Sequence, residues 1–147
     1  ERVSTEDECL IVAGNPMDNS DIATIRALAA DQQNVVTDFR YIPNEEVPIY
    51  FAACDFGVFP YRDIFSSGSV VLSLSFGCPV IAPNAGCIPS ILPDGNVIYD
   101  SLSNGFERAR DLSLKERTEL GETNHVAAVT NHDWDDIAER FETVYRS

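Results

Sequence analysis

The residues in this sequence best placed to do chemistry lie in one turn, Ser66-Ser67-Gly68-Ser69, which ends a loop and opens a helical pattern. A chain entering a helix leaves its first backbone N–H groups without intrahelical partners, and the helix dipole places partial positive charge there. The serine hydroxyls add donors, and glycine lets an anion come close to the backbone. Together these features suit a diphosphate. They equally suit a serine-rich helix cap that holds no ligand. Arg62 lies just upstream, in a chain with only 10 Lys plus Arg. A guanidinium there can pair with phosphate oxygens in a bidentate manner. A surface ion pair with Asp63 is the plainer alternative.

The surrounding elements must position these groups. Short apolar runs at 9–13, 34–39, 56–60, 79–82 and 97–99 read as strands, and helical patterns lie between them. A first helix is expected over 21–32, capped by Asn19 or Ser20. A second, over 45–53, is announced by Pro43-Asn44, and Pro48 is tolerable only in its first turns. A third runs from about Ser69 to Gly77, where glycine can take the left-handed cap. Ser113 and Glu116 have capping-box spacing, and Asp133 caps a last helix with Trp134, Ile137, Ala138, Phe141 and Tyr145 on one face. This alternation implies an α/β fold: a Rossmann-like open parallel sheet of about five strands, helices on both faces, and an all-helical C-terminal third. Residues 1–147 read as one domain.

In such a sheet, ligands bind beyond the carboxyl ends of the strands. That rule selects four loops: Gly14-Asn15-Pro16, Arg40-Tyr41-Ile42-Pro43, residues 61–69, and residues 83–86 with Asn84 and Gly86.

Composition narrows the partners. Asp and Glu total 24, the formal net charge is −14, and Lys115 is the only lysine. That balance argues against a nucleic-acid backbone or an anionic membrane as the main partner. No apolar run reaches the ~18–20 residues of a membrane span, and no basic start precedes an apolar stretch. Cys9, Cys54, Cys78 and Cys87 form no CxxC pair, so reduced thiols and a cytoplasmic location are expected. His125 and His132 have no partners at ligand spacing, and no metal site is expected.

In their order, these motifs resemble the C-terminal, nucleotide-sugar-binding domain of retaining, family-4-type glycosyltransferases of the GT-B architecture. The resemblance covers nearly the whole chain. It rests on the first strand ending in Gly14, on NVVTDFRYIPNEEVPIYFAACDFGVFPY, and on SFGCPVIAPNAGCIPSILPDGN. Gly77–Ala82 is similar to the family's G-x-P-V-[VI]-A strand, while Gly86, Pro89 and Asp94-Gly95 match later turns. Many members carry two glutamates eight residues apart; the corresponding positions here are Ile64 and Leu72. A subgroup with a [ST]-S-G-[SA] turn looks more like this chain.

The resemblance implies a donor domain that holds a nucleoside-diphosphate sugar, works without a bound metal or cofactor, and needs an N-terminal acceptor domain across a cleft. The isolated domain would be inactive. Ser66, Ser67, Gly68 and Ser69 would meet the diphosphate, with Arg62 stabilising the leaving phosphate. Arg40, Tyr41 and Ile42 would face the base, with ordinary packing of Tyr41 against the next helix as the alternative. Ser73 would meet the ribose, and Gly14, Asn15, Asn84 and Gly86 would line the cleft. A nucleotide-sugar epimerase on the same plan, and a degenerate module that binds without catalysis, stay open as alternatives.

The acidity generates its own test. It suits either a merely soluble surface or adaptation to high salt, where self-repulsion is screened. On the second reading, the melting temperature climbs as KCl is raised into the molar range; a flat profile returns the acidity to solubility alone.

Overall fold

In the computed structural model, which describes residues 8–16, 19–131 and 134–146, the apolar runs form five strands. They are β1 (Leu10–Gly14), β2 (Val35–Phe39), β3 (Gly57–Val58), β4 (Val80–Pro83) and β5 (Val97–Tyr99). The helices are α1 (Asn19–Ala29), α2 (Val47–Ala53), α3 (Gly68–Ser75), α4 (Ile88–Ile91), α5 (Leu102–Asp111), α6 (Leu114–Asn131) and α7 (Trp134–Tyr145). The fold is α/β, with every strand pairing parallel and a helical C-terminal region. None of the described helices is long and apolar enough to cross a membrane.

The chain divides into two compact units between Pro48 and Ile49. In the first, β1 and β2 pair from Leu10↔Val35 to Gly14↔Phe39 with α1 as their crossover. The Arg26 guanidinium of α1 lies over the Phe39 ring, 5.6 Å from its centroid. Helix α2 starts two residues later than expected because 44–46 form a turn: the N–H groups of Glu46 and Val47 both donate to the Pro43 carbonyl, at 2.9 and 3.3 Å.

The second unit holds a sheet in the order β3-β4-β5. Central β4 reads Val-Ile-Ala-Pro and is buried throughout, as a parallel strand covered on both faces must be. Its alternating side chains divide the core. Val80 and Ala82 join Val70, Leu74, Ile88, Leu92 and Ala128 in one cluster, while Ile81 joins Val97, Tyr99 and Ala109 in the other. Helices α3, α4 and α6 therefore cover one face and α5 the other. Strand β3 is shorter than the run 56–60 suggests. Phe59 still donates to the Ile81 carbonyl at 2.9 Å, but the next donor in the ladder, the Tyr61 N–H, turns back to the Phe59 carbonyl at 2.9 Å.

Several local signals act as read. Gly77 ends α3 with φ 66°. The capping box before α6 is reciprocal: the Ser113 N–H and hydroxyl donate to Glu116 Oε2 at 2.8 and 2.6 Å, and the Glu116 N–H donates back to Ser113 Oγ at 3.3 Å. Those bonds, the hydroxyl's first, hold the Glu116 carboxyl below its usual range. In the last helix Phe141 and Tyr145 share a face, stack on each other at 6.5 Å and are both largely exposed. His132 and Asp133 lie outside the described residues, as do the side chains of Asn19, Ser20 and Trp134.

Helix α6 meets the end of α3 at backbone distance. A Cβ on Gly121 would come within 2.4 Å of the Gly77 carbonyl oxygen, and one on Gly77 within 3.1 Å of the Gly121 oxygen. One turn on, fully buried Asn124 donates to the Cys78 carbonyl at 3.2 Å and accepts from Asn96 Nδ2 at 2.7 Å. Asn96 in turn accepts from the Val80 N–H at 2.8 Å, so the buried amides tie α6 to the start of β4.

This contact sets the sign of a substitution. Alanine inside a helix normally gains about 1 kcal/mol over glycine, but Gly121→Ala is expected to destabilise by about 1–3 kcal/mol because its methyl meets a carbonyl. Gly68→Ala, with nothing within 4 Å of its Cβ, is the control and stays neutral or slightly stabilising. Urea denaturation of both variants checks it; two equal effects would show that α6 and α3 are not packed this closely.

Candidate functional site

The entrance to α3 is a built N-cap. Ser67 has extended φ/ψ of −140° and 109°, and its Oγ accepts from the Val70 N–H at 3.2 Å. The Tyr61 hydroxyl shares a 2.7 Å hydrogen bond with the same oxygen. Ser67 is buried, so its hydroxyl is engaged in the cap. The turn is therefore a serine cap at Ser67, but its neighbours remain available. Ser66, Gly68 and Ser69 are exposed, and the N–H groups of Gly68 and Ser69 have no intramolecular acceptor among the described residues. Gly68 has no left-handed φ and open space around its Cβ position, so no backbone constraint requires glycine there.

The loop leading to this cap is pinned from below. Gly86, at φ 56°, packs so closely that a Cβ would lie 2.2 Å from the Ile64 carbonyl oxygen and 3.0 Å from that of Phe65. The Cys87 N–H donates to the Phe65 carbonyl at 3.0 Å. Gly86 thus holds two loops together, a structural role sequence reasoning placed only as cleft lining. Ile64 packs against the core cluster. Arg62 is exposed and forms no ion pair with Asp63 or any other described residue, so the plainer alternative for it is absent.

One expected contact is corrected. Ser73 is fully buried on the inward face of α3 with Val70 and Leu74, and its Oγ donates to the Cys78 carbonyl at 3.3 Å. Gly57 closes over it, since a Cβ there would lie 2.6 Å from that oxygen. No ribose can reach this hydroxyl. Tyr61, by contrast, was missed: nothing in its spacing marks a ring that stacks on Phe59 at 6.0 Å and holds the cap serine.

Asn84 lies where β4 and β5 end. Its N–H donates to the Tyr99 carbonyl at 2.8 Å and its side-chain amide to Asp100 at 3.3 Å. Among the described residues no group of His, Cys, Asp and Glu is arranged to hold a metal. All four cysteines are free; burial pushes the Cys78 thiol up to about 11, so it stays neutral. His125 faces the Ser75 carbonyl through Nδ1 at 2.7 Å, which assigns that nitrogen the proton.

In the first unit, Gly14 pairs with Phe39, so the loops with Asn15 and with Arg40, Tyr41 and Ile42 leave one end of the β1–β2 pair. Gly14 takes φ 140° with open space around it, and Asn15 is exposed. Arg40 bonds both Asp38 oxygens at 3.1 Å and also bonds Glu46. Glu46 first, then Asp38, hold its guanidinium more firmly protonated than usual. Arg40 therefore braces its loop and offers a ligand mainly backbone. Tyr41 is 69% exposed, so packing does not account for its ring, and Ile42 is half-buried.

Comparison with known proteins fits this frame. Residues 1–146 match the family model described as Glycosyl transferases group 1. The chain is 22% identical over 134 residues to a GDP-mannose:glycolipid 4-beta-D-mannosyltransferase of Xanthomonas campestris, covering 88% of this chain and 38% of that protein. Its structure is similar to sucrose-phosphate synthase from Thermosynechococcus elongatus, with TM-score 0.76 at 17% identity over 94% of this chain and 37% of that one. The chain thus spans less than two fifths of either protein's length.

The site geometry separates two loop variants. Gly86→Ala combines a left-handed φ with a 2.2 Å approach to a carbonyl and is expected to cost more than about 1 kcal/mol. Arg62→Ala removes an exposed, unpaired side chain and should stay within about 0.5 kcal/mol. Thermal and chemical denaturation check both; a tolerated Gly86→Ala would mean the loops are not held by this contact.

Proposed function

This chain belongs to the group 1 glycosyl transferases, and from that premise we propose that it is the donor-binding domain of an enzyme that transfers a sugar, with retention, from a nucleoside-diphosphate sugar to an acceptor. The observation that carries the proposal is the entrance to α3. Two backbone N–H groups with no acceptor among the described residues, the exposed Ser66 and Ser69, an open Gly68 and an Arg62 without an ion-pair partner among them follow one another there. A diphosphate at this point would accept from the N–H groups and the serine hydroxyls. As the bond from the anomeric carbon to the phosphate oxygen breaks, negative charge grows on the leaving diphosphate. The helix N-terminus and Arg62 would stabilise that charge.

Asn15, Tyr41, Ile42 and the Arg40 backbone are assigned to the cleft and the base, and Asn84 to the cleft. An N-terminal domain would supply the acceptor site, so this chain alone would bind donor without turning it over. The similarity to an enzyme named for GDP-mannose makes GDP the first nucleotide to test and favours the transferase over the epimerase. The module that binds without catalysis is kept as a second reading by one observation, the aliphatic Ile64 and Leu72 where many members carry glutamate.

Titration calorimetry tests the site. GDP or UDP is expected to bind on the order of 0.1–1 mM, about 4–5.5 kcal/mol, and better than the matching nucleoside. Gly68→Val and Arg62→Ala should each weaken the diphosphate at least about tenfold, roughly 1.4 kcal/mol. The open Cβ position and ordinary φ of Gly68 mean that such a loss reports on the anion and not on the backbone. Equal affinity for nucleoside and nucleotide, or two variants that bind like the parent, would place the diphosphate elsewhere.

A further inference from the structure

Phe65 is 88% exposed, the most exposed of the large hydrophobic side chains among the described residues. Its backbone is not free to withdraw the ring. The carbonyl accepts from the Cys87 N–H at 3.0 Å, Gly86 packs against the Ile64–Phe65 peptide, and neighbouring Ile64 is turned against the core. The loop therefore holds an aromatic ring in water, immediately before the serine turn. Phe65 and Gly68 are three positions apart, so their Cα atoms are no more than about 11 Å apart.

We propose that Phe65 is a platform for the sugar ring of the donor. The proposal rests on the reading of the α3 entrance as the diphosphate site. The sugar is the group bonded to the outer phosphate, so it lies within one ring's reach of the anion. A hexose presents an apolar face of C–H bonds and a rim of hydroxyls, which matches one aromatic ring in a polar surround. Arg62, Asp63, Ser66 and Ser69 are all exposed around Phe65 in sequence and supply that rim. A protein-docking surface would need a contiguous apolar patch of several hundred Å², more than one ring supplies. With Ile64 in place of a carboxylate, stacking also gives the sugar a contact that needs no acidic hydroxyl acceptor.

The test compares nucleotide with nucleotide-sugar on the same chain. GDP and GDP-mannose, with UDP and UDP-glucose in parallel, are titrated into the parent, Phe65→Ala and Phe65→Tyr. Phe65→Ala is expected to leave the nucleoside diphosphate unchanged and to weaken the sugar conjugate by about threefold to tenfold. Phe65→Tyr, which keeps the ring, restores the parent value. A Phe65→Ala variant that binds both ligands as the parent does, or loses both in equal proportion, overturns the platform while leaving the diphosphate site standing. A parent that binds nucleotide no better than nucleoside removes the diphosphate reading, and this proposal with it. The exposed position makes misfolding of the alanine variant a minor concern, and a thermal melt of each variant confirms it.

Discussion

The orientation of α3 is the constraint on which the second unit and its candidate site depend. Its inner face is closed at three levels: Ser73 under Gly57, Gly77 against Gly121, and the Cys78 carbonyl on Asn124. Two of these are approaches in which no side chain fits between backbone and neighbour. They are short-range and directional, so the helix cannot slide without losing them together. A buried asparagine pair is costly unless every polar atom is used. Here Asn96 and Asn124 bond each other, two carbonyls and the Val80 N–H. With its C-terminal end held this way, α3 presents its N-terminus at the edge where β3, β4 and β5 deliver their loops.

The loop before α3 repeats the logic on a smaller scale. Tyr61 holds the cap serine from one side, and Gly86 holds Ile64 and Phe65 from the other. The polar groups left over are the ones the cap and the packing do not consume. That division explains why four adjacent residues behave differently: Ser67 is structural, while Ser66, Gly68 and Ser69 face outward. On the proposed reading, a preorganised donor array of this kind would give up little freedom when an anion arrives, which is what electrostatic stabilisation of a leaving group requires.

Much of this was legible in the amino-acid pattern, and the misses have physical reasons. Uninterrupted apolar runs such as Val80–Pro83 identify a strand covered on both faces, and Gly77 and Ser113 act through local rules that need no tertiary knowledge. Ser73 was misassigned because its type suggested a ligand, although its spacing from Val70 and Leu74 places it on the buried stripe. The Asn96–Asn124 pair spans 28 residues, and the Gly77–Gly121 contact 44, so no local signal reveals either. The bracing of Arg40 by Asp38 and Glu46 was not legible, because both partners are ordinary acidic residues in an acidic chain. Periodicity placed Phe141 and Tyr145 on one face of α7, and periodicity says only that a face is apolar, not what covers it.

A chain of net charge −14 repels an approaching diphosphate at long range, yet its candidate anion site carries Arg62 and free N–H groups. At physiological ionic strength the Debye length is about 8 Å, so most of the remote carboxylates are screened from a ligand on the α3 entrance. Charges inside that radius are not screened, and there Ile64 and Leu72 matter. On the proposed reading, a glutamate at either position would set a carboxylate near the diphosphate, where like charges repel. Aliphatic side chains remove that repulsion and let Ile64 anchor the loop on the core. The same exchange leaves neither position able to accept a hydroxyl. Raising salt would act on this balance unevenly. It weakens the attraction of exposed Arg62 for the diphosphate, relieves the self-repulsion of the fold, and leaves the short N–H contacts largely intact. An acidic protein that binds anions in strong salt would therefore do best to rely on its backbone, and on the proposed reading the exposed Gly68 and Ser69 N–H groups would serve that role.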